Sequence, residues 1–105
     1  MKVYSGEQPE VYAVSGNELR IHWDIKEVPV PSMEGEGETQ WQANEALCSV
    51  FDTRSTLIEK IIGSVLTPGA EVALINNKDV DPQAYADYQA FRAEAKALAD
   101  GWINQ

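Results

Sequence analysis

The chain is poor in cysteine, histidine and basic residues, and each shortage excludes a class of protein. A single cysteine, Cys48, cannot form an intramolecular disulfide, which excludes a disulfide-stapled secreted scaffold. Lysine and arginine together number 8 against 17 acidic residues, which gives a formal charge of -9. Because phosphate contacts need clustered basic side chains, this composition argues against nucleic-acid binding. No stretch approaches the roughly 18 consecutive apolar residues of a transmembrane helix, so we expect no membrane association.

Length and composition favour one globular domain spanning residues 1–105. Apolar residues make up 44% of the chain, enough to build a core at this length. The N-terminal sequence MKVYSGEQPE has one lysine and no apolar run, so we expect no secretory signal and a cytoplasmic location. The negative charge is concentrated in residues 1–52, which hold ten acids and three bases, whereas residues 53–105 hold seven and five. The acidic half could meet a basic partner.

The first half of the chain, residues 1–51, is predicted to be mainly β. Alternation between apolar and polar residues indicates a half-exposed strand, with Leu19, Ile21, Trp23 and Ile25 on one face and Arg20, His22, Asp24 and Lys26 on the other. Residues 11–14 can pair with it as a hairpin through the turn residues 15–17. Residues 29–38 form an acidic loop rich in glycine and proline. Residues 39–51 fit either a helix or a third strand, and we favour the strand because a bare hairpin needs more sheet.

The second half, residues 52–105, is predicted to hold three helices. Gly63 suggests the end of the first, and Thr67 followed by Pro68 gives a cap-plus-proline signal for the second. Asp81 and Pro82 give the same signal for a long third helix, and Gly101 suits the residue after its end. The apolar residues of this last helix recur at steps of three and four, which places on one face Ala84, Tyr88, Phe91, Ala95, Leu98 and Trp102. The fold class is therefore α+β, with an N-terminal antiparallel sheet of two or three strands followed by three helices, whose long helix we expect to pack on the sheet.

No residue pattern indicates a catalytic, metal or cofactor site. His22 is the only histidine and lies on the polar face of its strand, which predicts a surface residue. Cys48 has no matching catalytic pattern and is expected to be buried. Asn77, Asp79 and Asp81 begin like a calcium loop, but the glycine and glutamate that such a loop requires are absent. We therefore expect no enzymatic activity, no metal and no cofactor.

An aromatic residue and the acidic loop are the best candidates for contacting a partner. Tyr85 lies beside the apolar face of the last helix rather than within it, and aromatic side chains are enriched at protein interfaces. Glu34, Glu36 and Glu38 alternate with glycine and give the loop its charge. If the chain instead bound a small molecule, Asp24, His22 and Glu45 are the only titratable residues that could be nominated. The sequence leaves the oligomeric state open.

Three segments of the helical half carry a resemblance to a known group of proteins: DTRSTLIEKIIGS, GAEVALINNK and YADYQAFRAEAKALADGW. In order and spacing they resemble the C-terminal halves of small uncharacterised proteins of tailed bacteriophages and prophages of gut bacteria. The resemblance covers residues 52–102 and implies a minor tail component or a tail-fibre assembly factor, which would be virion-associated or act in the host cytoplasm. We therefore expect a non-enzymatic protein-interaction module with a protein partner. The alternative is a small ligand-binding or enzymatic domain of a bacterial host.

Overall fold

The computed structural model describes residues 1–30 and 38–105, and these contain a four-stranded antiparallel sheet and three helices. The strands are β1 (Lys2–Ser5), β2 (Tyr12–Ser15), β3 (Glu18–Pro29) and β4 (Thr39–Ser49). The helices are α1 (Arg54–Gly63), α2 (Pro68–Asn76) and α3 (Pro82–Ile103). The α+β class and the long last helix are confirmed. The backbone forms two compact units, Met1–Val50 and Phe51–Gln105.

The sheet of the first unit has the strand order β1-β4-β3-β2, so the two long strands lie at its centre. β4 confirms the preferred strand interpretation of residues 39–51. The sequence analysis missed β1, a strand of four residues that pairs with β4 between Lys2↔Asn44 and Ser5↔Trp41. The expected hairpin joins β2 to β3 through a two-residue turn. Gly16 has a φ of 61° at the first central position of this turn, as a type II′ hairpin requires.

A β-bulge interrupts the central pair of strands. Trp23 pairs with Asn44 and Lys26 with Gln42, so Asp24 and Ile25 together lie opposite one residue of β4. Asp24 has a φ of 52°, the left-handed conformation that aspartate tolerates better than most residues. The bulge ends the regular alternation of β3.

The apolar face of the sheet is buried as predicted at Leu19, Ile21 and Trp23, whereas Ile25 lies in the bulge and is only partly buried. The buried members of this face are Leu19, Ile21, Trp23, Ala46 and Cys48. The burial of Cys48 confirms the expectation for that residue. On this face the large Leu19 and Ile21 of β3 lie opposite the small Cys48 and Ala46 of β4.

The second and third helices, α2 and α3, begin where the sequence indicates. The side chains of Thr67 and Asp81 each accept a hydrogen bond from the backbone three residues on, and each is followed by proline. The expected end of α3 at Gly101 was wrong, because the helix continues to Ile103 and is capped by Asn104. All six residues of the predicted apolar face of α3 are buried or partly buried. Their packing on the sheet stays a prediction.

The core of the second unit lies between α1 and α3. It contains Leu57, Ile61, Ile62, Tyr88, Ala95 and Ala99. By contrast, α2 buries none of its residues, although its sequence PGAEVALIN has only one charged member. A helix that is apolar on every side is normally enclosed by protein, so the exposure of α2 is unusual.

Candidate functional site

Two of the residues nominated from the sequence meet in the centre of the sheet. His22 of β3 and Glu45 of β4 are directly opposed, and His22 Nε2 lies 2.9 Å from Glu45 Oε2. The prediction of a surface histidine was wrong, because the His22 side chain is only 8% exposed and that of Glu45 only 6%. Alternation correctly assigned His22 to the polar face, but His22 and Glu45 are buried there, whereas the neighbouring Arg20 on the same face stays exposed. The third of these candidate residues, Asp24, is exposed, and its Oδ2 lies 3.9 Å from Lys26 Nζ.

Both ring nitrogens of His22 are occupied. Nδ1 lies 2.7 Å from the backbone oxygen of Glu10, and a carbonyl oxygen can only accept, so Nδ1 carries a proton and donates it. Nε2 faces the Glu45 carboxylate, so the second ring nitrogen has a partner as well. Arg20 Nη1 adds a weaker contact, 3.7 Å from Oε2 of the same carboxylate. Both nitrogens are therefore engaged with groups of the chain itself.

Of the four residues predicted to contact a partner, the structure describes Tyr85 and Glu38. Tyr85 is partly buried, and its hydroxyl accepts a hydrogen bond of 2.8 Å from Gln89 Nε2. Glu38 is exposed and follows the loop, where its backbone oxygen accepts a hydrogen bond from Val30 at 3.1 Å. Glu34 and Glu36 lie outside the described residues. A role for these four residues in binding a partner stays a prediction.

A groove runs between α2 and α3 in the second unit. Its volume is about 600 Å³, and its apolar lining is provided by Leu66, Ala70, Ala73, Leu74, Val80 and Ala84. A further recess of about 320 Å³ shares three of these residues, Leu66, Leu74 and Ala84, and extends the groove toward Phe91. We call these two connected depressions the α2–α3 groove.

The charge along the α2–α3 groove has one sign. Asp81 lines the main depression and Asp87 lines the recess, and no lysine, arginine or histidine lines either of them. Several large apolar side chains on or beside α2 are exposed as well, namely Val65 (51%), Val72 (55%), Ile75 (42%) and Val80 (83%). Exposed apolar clusters with a polar edge are typical of surfaces that bind other proteins. Sequence reasoning missed this surface because the apolar residues of α2 could not be told from core residues.

A second depression lies on the other side of Leu66, among α1, α2 and α3. It has a volume of about 480 Å³, and we call it the Arg92 pocket after its one basic residue. The guanidinium carbon of Arg92 lies 5.9 Å from the centre of the Tyr88 ring. The Tyr88 hydroxyl in turn donates a hydrogen bond of 2.5 Å to Glu71 Oε2. Burial raises the pKa of Tyr88, the hydrogen bond and negative charge of Glu71 raise it further, and Arg92 lowers it.

Residues 1–30 and 38–105 contain no group of three histidine, cysteine, aspartate or glutamate side chains that could hold a metal ion. Within the same residues, no helix has the length and apolar character needed to cross a membrane. In comparisons with known proteins, this chain matches no family model, no curated protein and no solved structure.

Proposed function

We propose that this chain is a non-enzymatic protein-interaction module whose α2–α3 groove binds an amphipathic helix of a partner protein. The observation that carries the proposal is α2 itself, an apolar helix with no buried residue, bordering an apolar groove. Grooves between helices commonly receive the apolar face of a partner helix, anchored by residues three and four positions apart. Covering α2 would remove its exposed valine and isoleucine side chains from water, which favours association.

The charge of the groove supports a partner helix with basic flanks. Asp81 and Asp87 lie along the lining with no basic residue beside them, and the whole chain carries a formal charge of -9. Lysine or arginine at the edges of the partner's apolar face would pair with these aspartates. Such complementary charges raise the association rate and select against acidic partners. The same net charge disfavours a second copy of this chain as the occupant.

A role in bacteriophage tail or tail-fibre assembly is the more specific part of the proposal. It is supported by the resemblance of residues 52–102 to proteins of tailed phages and prophages, and it would place the chain in the host cytoplasm or on the virion. An assembly factor needs a reversible docking surface, and an exposed apolar groove is suited to shield a partner segment until assembly. A catalytic role has less support, because His22 has both ring nitrogens occupied.

The proposal is tested with two synthetic helical peptides that share one apolar face. One peptide carries lysine and arginine at the flanking positions and the other carries glutamate. We expect the basic peptide to bind the full chain and to shift the amide resonances of residues 66–84 in the NMR spectrum. Its affinity should fall as the salt concentration is raised. Equal binding of both peptides, or shifts confined to residues outside the groove, would contradict the proposed partner.

The assembly role is tested by replacing Ala73 with a photo-cross-linking residue in cells that express phage tail genes. Capture of an identified tail or tail-fibre protein from position 73, with none from the exposed Ala90, would support it. A chain that captures no tail protein from position 73 would contradict the assembly role. That result would not contradict helix binding by the groove, which the peptide titration tests independently.

A further inference from the structure

The Arg92 pocket combines an apolar wall with charges of both signs. Ile58, Ile62 and Leu66 provide the wall, and Glu59, Glu71 and Arg92 line the same depression. Its volume of about 480 Å³ falls within the usual range for small-molecule sites. All of these residues belong to the second unit, and only Leu66 also lines the α2–α3 groove. The pocket can therefore be assessed separately from the proposed helix-binding function.

Arg92 is partly buried, and its charge is not balanced by a carboxylate among the described residues. None of the ion pairs of the described residues includes it. Its Nε atom is buried and has no hydrogen-bond partner. The guanidinium carbon lies 5.9 Å from the centre of the Tyr88 ring, within the range of a cation–π contact. A guanidinium without an ion pair that lines a concave site is suited to receive an anionic group from outside the chain.

The chemistry of the guanidinium identifies one half of the ligand. Arginine presents parallel N–H donors that match the two oxygens of a carboxylate, and such bonds are stronger than those between neutral groups. The two glutamates that line the pocket would repel a simple anion. A ligand that places a carboxylate on Arg92 must therefore also carry a cationic donor for Glu71 or Glu59.

The glutamates are suited to receive that donor. Glu71 accepts the Tyr88 hydroxyl through Oε2, which leaves its second carboxylate oxygen for a ligand. Glu59 is exposed on α1 and extends the negative side of the pocket. The aliphatic wall then takes the apolar body of the ligand. We propose that the Arg92 pocket binds a small aliphatic amino acid as its zwitterion, with the carboxylate on Arg92, the ammonium on Glu71 and the side chain against Ile58 and Ile62.

The proposal is tested by NMR titration of the full chain with three probes that share one carbon skeleton. L-leucine carries both charged groups, 4-methylpentanoate only the carboxylate, and 3-methylbutylamine only the ammonium. We expect saturable shifts of the Ile58 and Ile62 methyl groups with leucine, and affinities at least about tenfold lower for each half-probe, since each lacks a charged hydrogen bond. Absence of saturable shifts with leucine, or equal binding of one half-probe, would overturn the proposal.

Variants separate binding from general effects of charge. Arg92→Gln should abolish leucine binding, and Arg92→Lys should weaken it because the lysine keeps the charge but loses the fork. Lys96→Gln removes the same charge from an exposed position of α3 and should leave binding unchanged. Glu71→Gln should weaken leucine and strengthen 4-methylpentanoate, because it removes a negative charge while keeping an acceptor for Tyr88. Leucine binding that survives Arg92→Gln in a folded protein would overturn the site.

Discussion

The imidazole of His22 lies between two acceptors, the backbone oxygen of Glu10 at 2.7 Å and the carboxylate of Glu45 at 2.9 Å. This arrangement ties the segment before β2 to the central strand β3 and to β4. The His22 backbone N–H reinforces the tie by donating to the oxygen of Val11 at 2.8 Å. The only histidine of the chain is therefore a structural residue of the sheet.

His22→Ala is expected to destabilise the fold strongly. The substitution would leave the buried Glu45 carboxylate with only the distant Arg20 contact, and removing one partner of a buried pair costs about 3–5 kcal/mol. Urea unfolding at neutral pH measures the free energy of unfolding. Arg20→Gln serves as the control, because its half-exposed pair with Glu45 should contribute less than about 1 kcal/mol. A loss below about 1 kcal/mol for His22→Ala would mean that the pair does not organise the sheet.

Asp24→Gly is expected to stabilise the fold slightly. Asp24 has a φ of 52°, where glycine is unstrained and residues with a side chain are not. The gain should be roughly 0.5–1 kcal/mol, and Asp24→Val should be destabilising because β-branched residues resist positive φ. Thermal unfolding of the two variants checks the sign of each change. If glycine and valine had the same effect, the left-handed conformation at the bulge would be refuted.

Tyr88 makes stability fall at alkaline pH. Its pKa is raised chiefly by burial and further by Glu71, so the unfolded chain ionises this tyrosine first as pH rises. The contribution is fully present below the ordinary tyrosine pKa of about 10 and is lost above it. Tyr88→Phe should flatten the loss of stability above that pH, whereas Tyr4→Phe, at a side chain 55% exposed, should not. Unfolding curves recorded from neutral to strongly alkaline pH compare the variants, and identical alkaline slopes would contradict the assignment.

The ion pair between Arg54 of α1 and Asp100 of α3 affects stability at acidic pH. Arg54 Nε lies 2.5 Å from Asp100 Oδ1, and this hydrogen bond with Arg54 lowers the pKa of Asp100. A lowered aspartate pKa adds stability above about pH 3.9 that is lost as the pH falls further. Both side chains are exposed, so the effect should be small. Asp100→Asn should make the free energy of unfolding fall less steeply as the pH is lowered. Asp79→Asn, at a residue outside any ion pair of the described residues, should leave that slope unchanged.

The order of elements could be predicted from the sequence because their signals are local. Alternation in β3 and the proline caps at Pro68 and Pro82 depend only on neighbours in the chain. β1 was missed because four residues are too short to show a period. The burial of His22 depends on pairing with Glu45, 23 residues away, and on Glu10, which local alternation cannot report. The α2–α3 groove was missed for a similar reason, since apolar residues look the same whether packed or exposed.

The measurement that tests the central claim most directly is the affinity of the basic peptide for two matched variants of the full chain. Ala73→Glu places a carboxylate on the apolar lining of the α2–α3 groove, and Ala90→Glu places one on α3 away from it. Both alanines are exposed, so both variants should fold. Because a partner helix would bury the new charge at position 73, we predict at least about tenfold weaker binding for Ala73→Glu. We predict unchanged binding for Ala90→Glu, and equal affinities for the two variants would contradict docking in the groove.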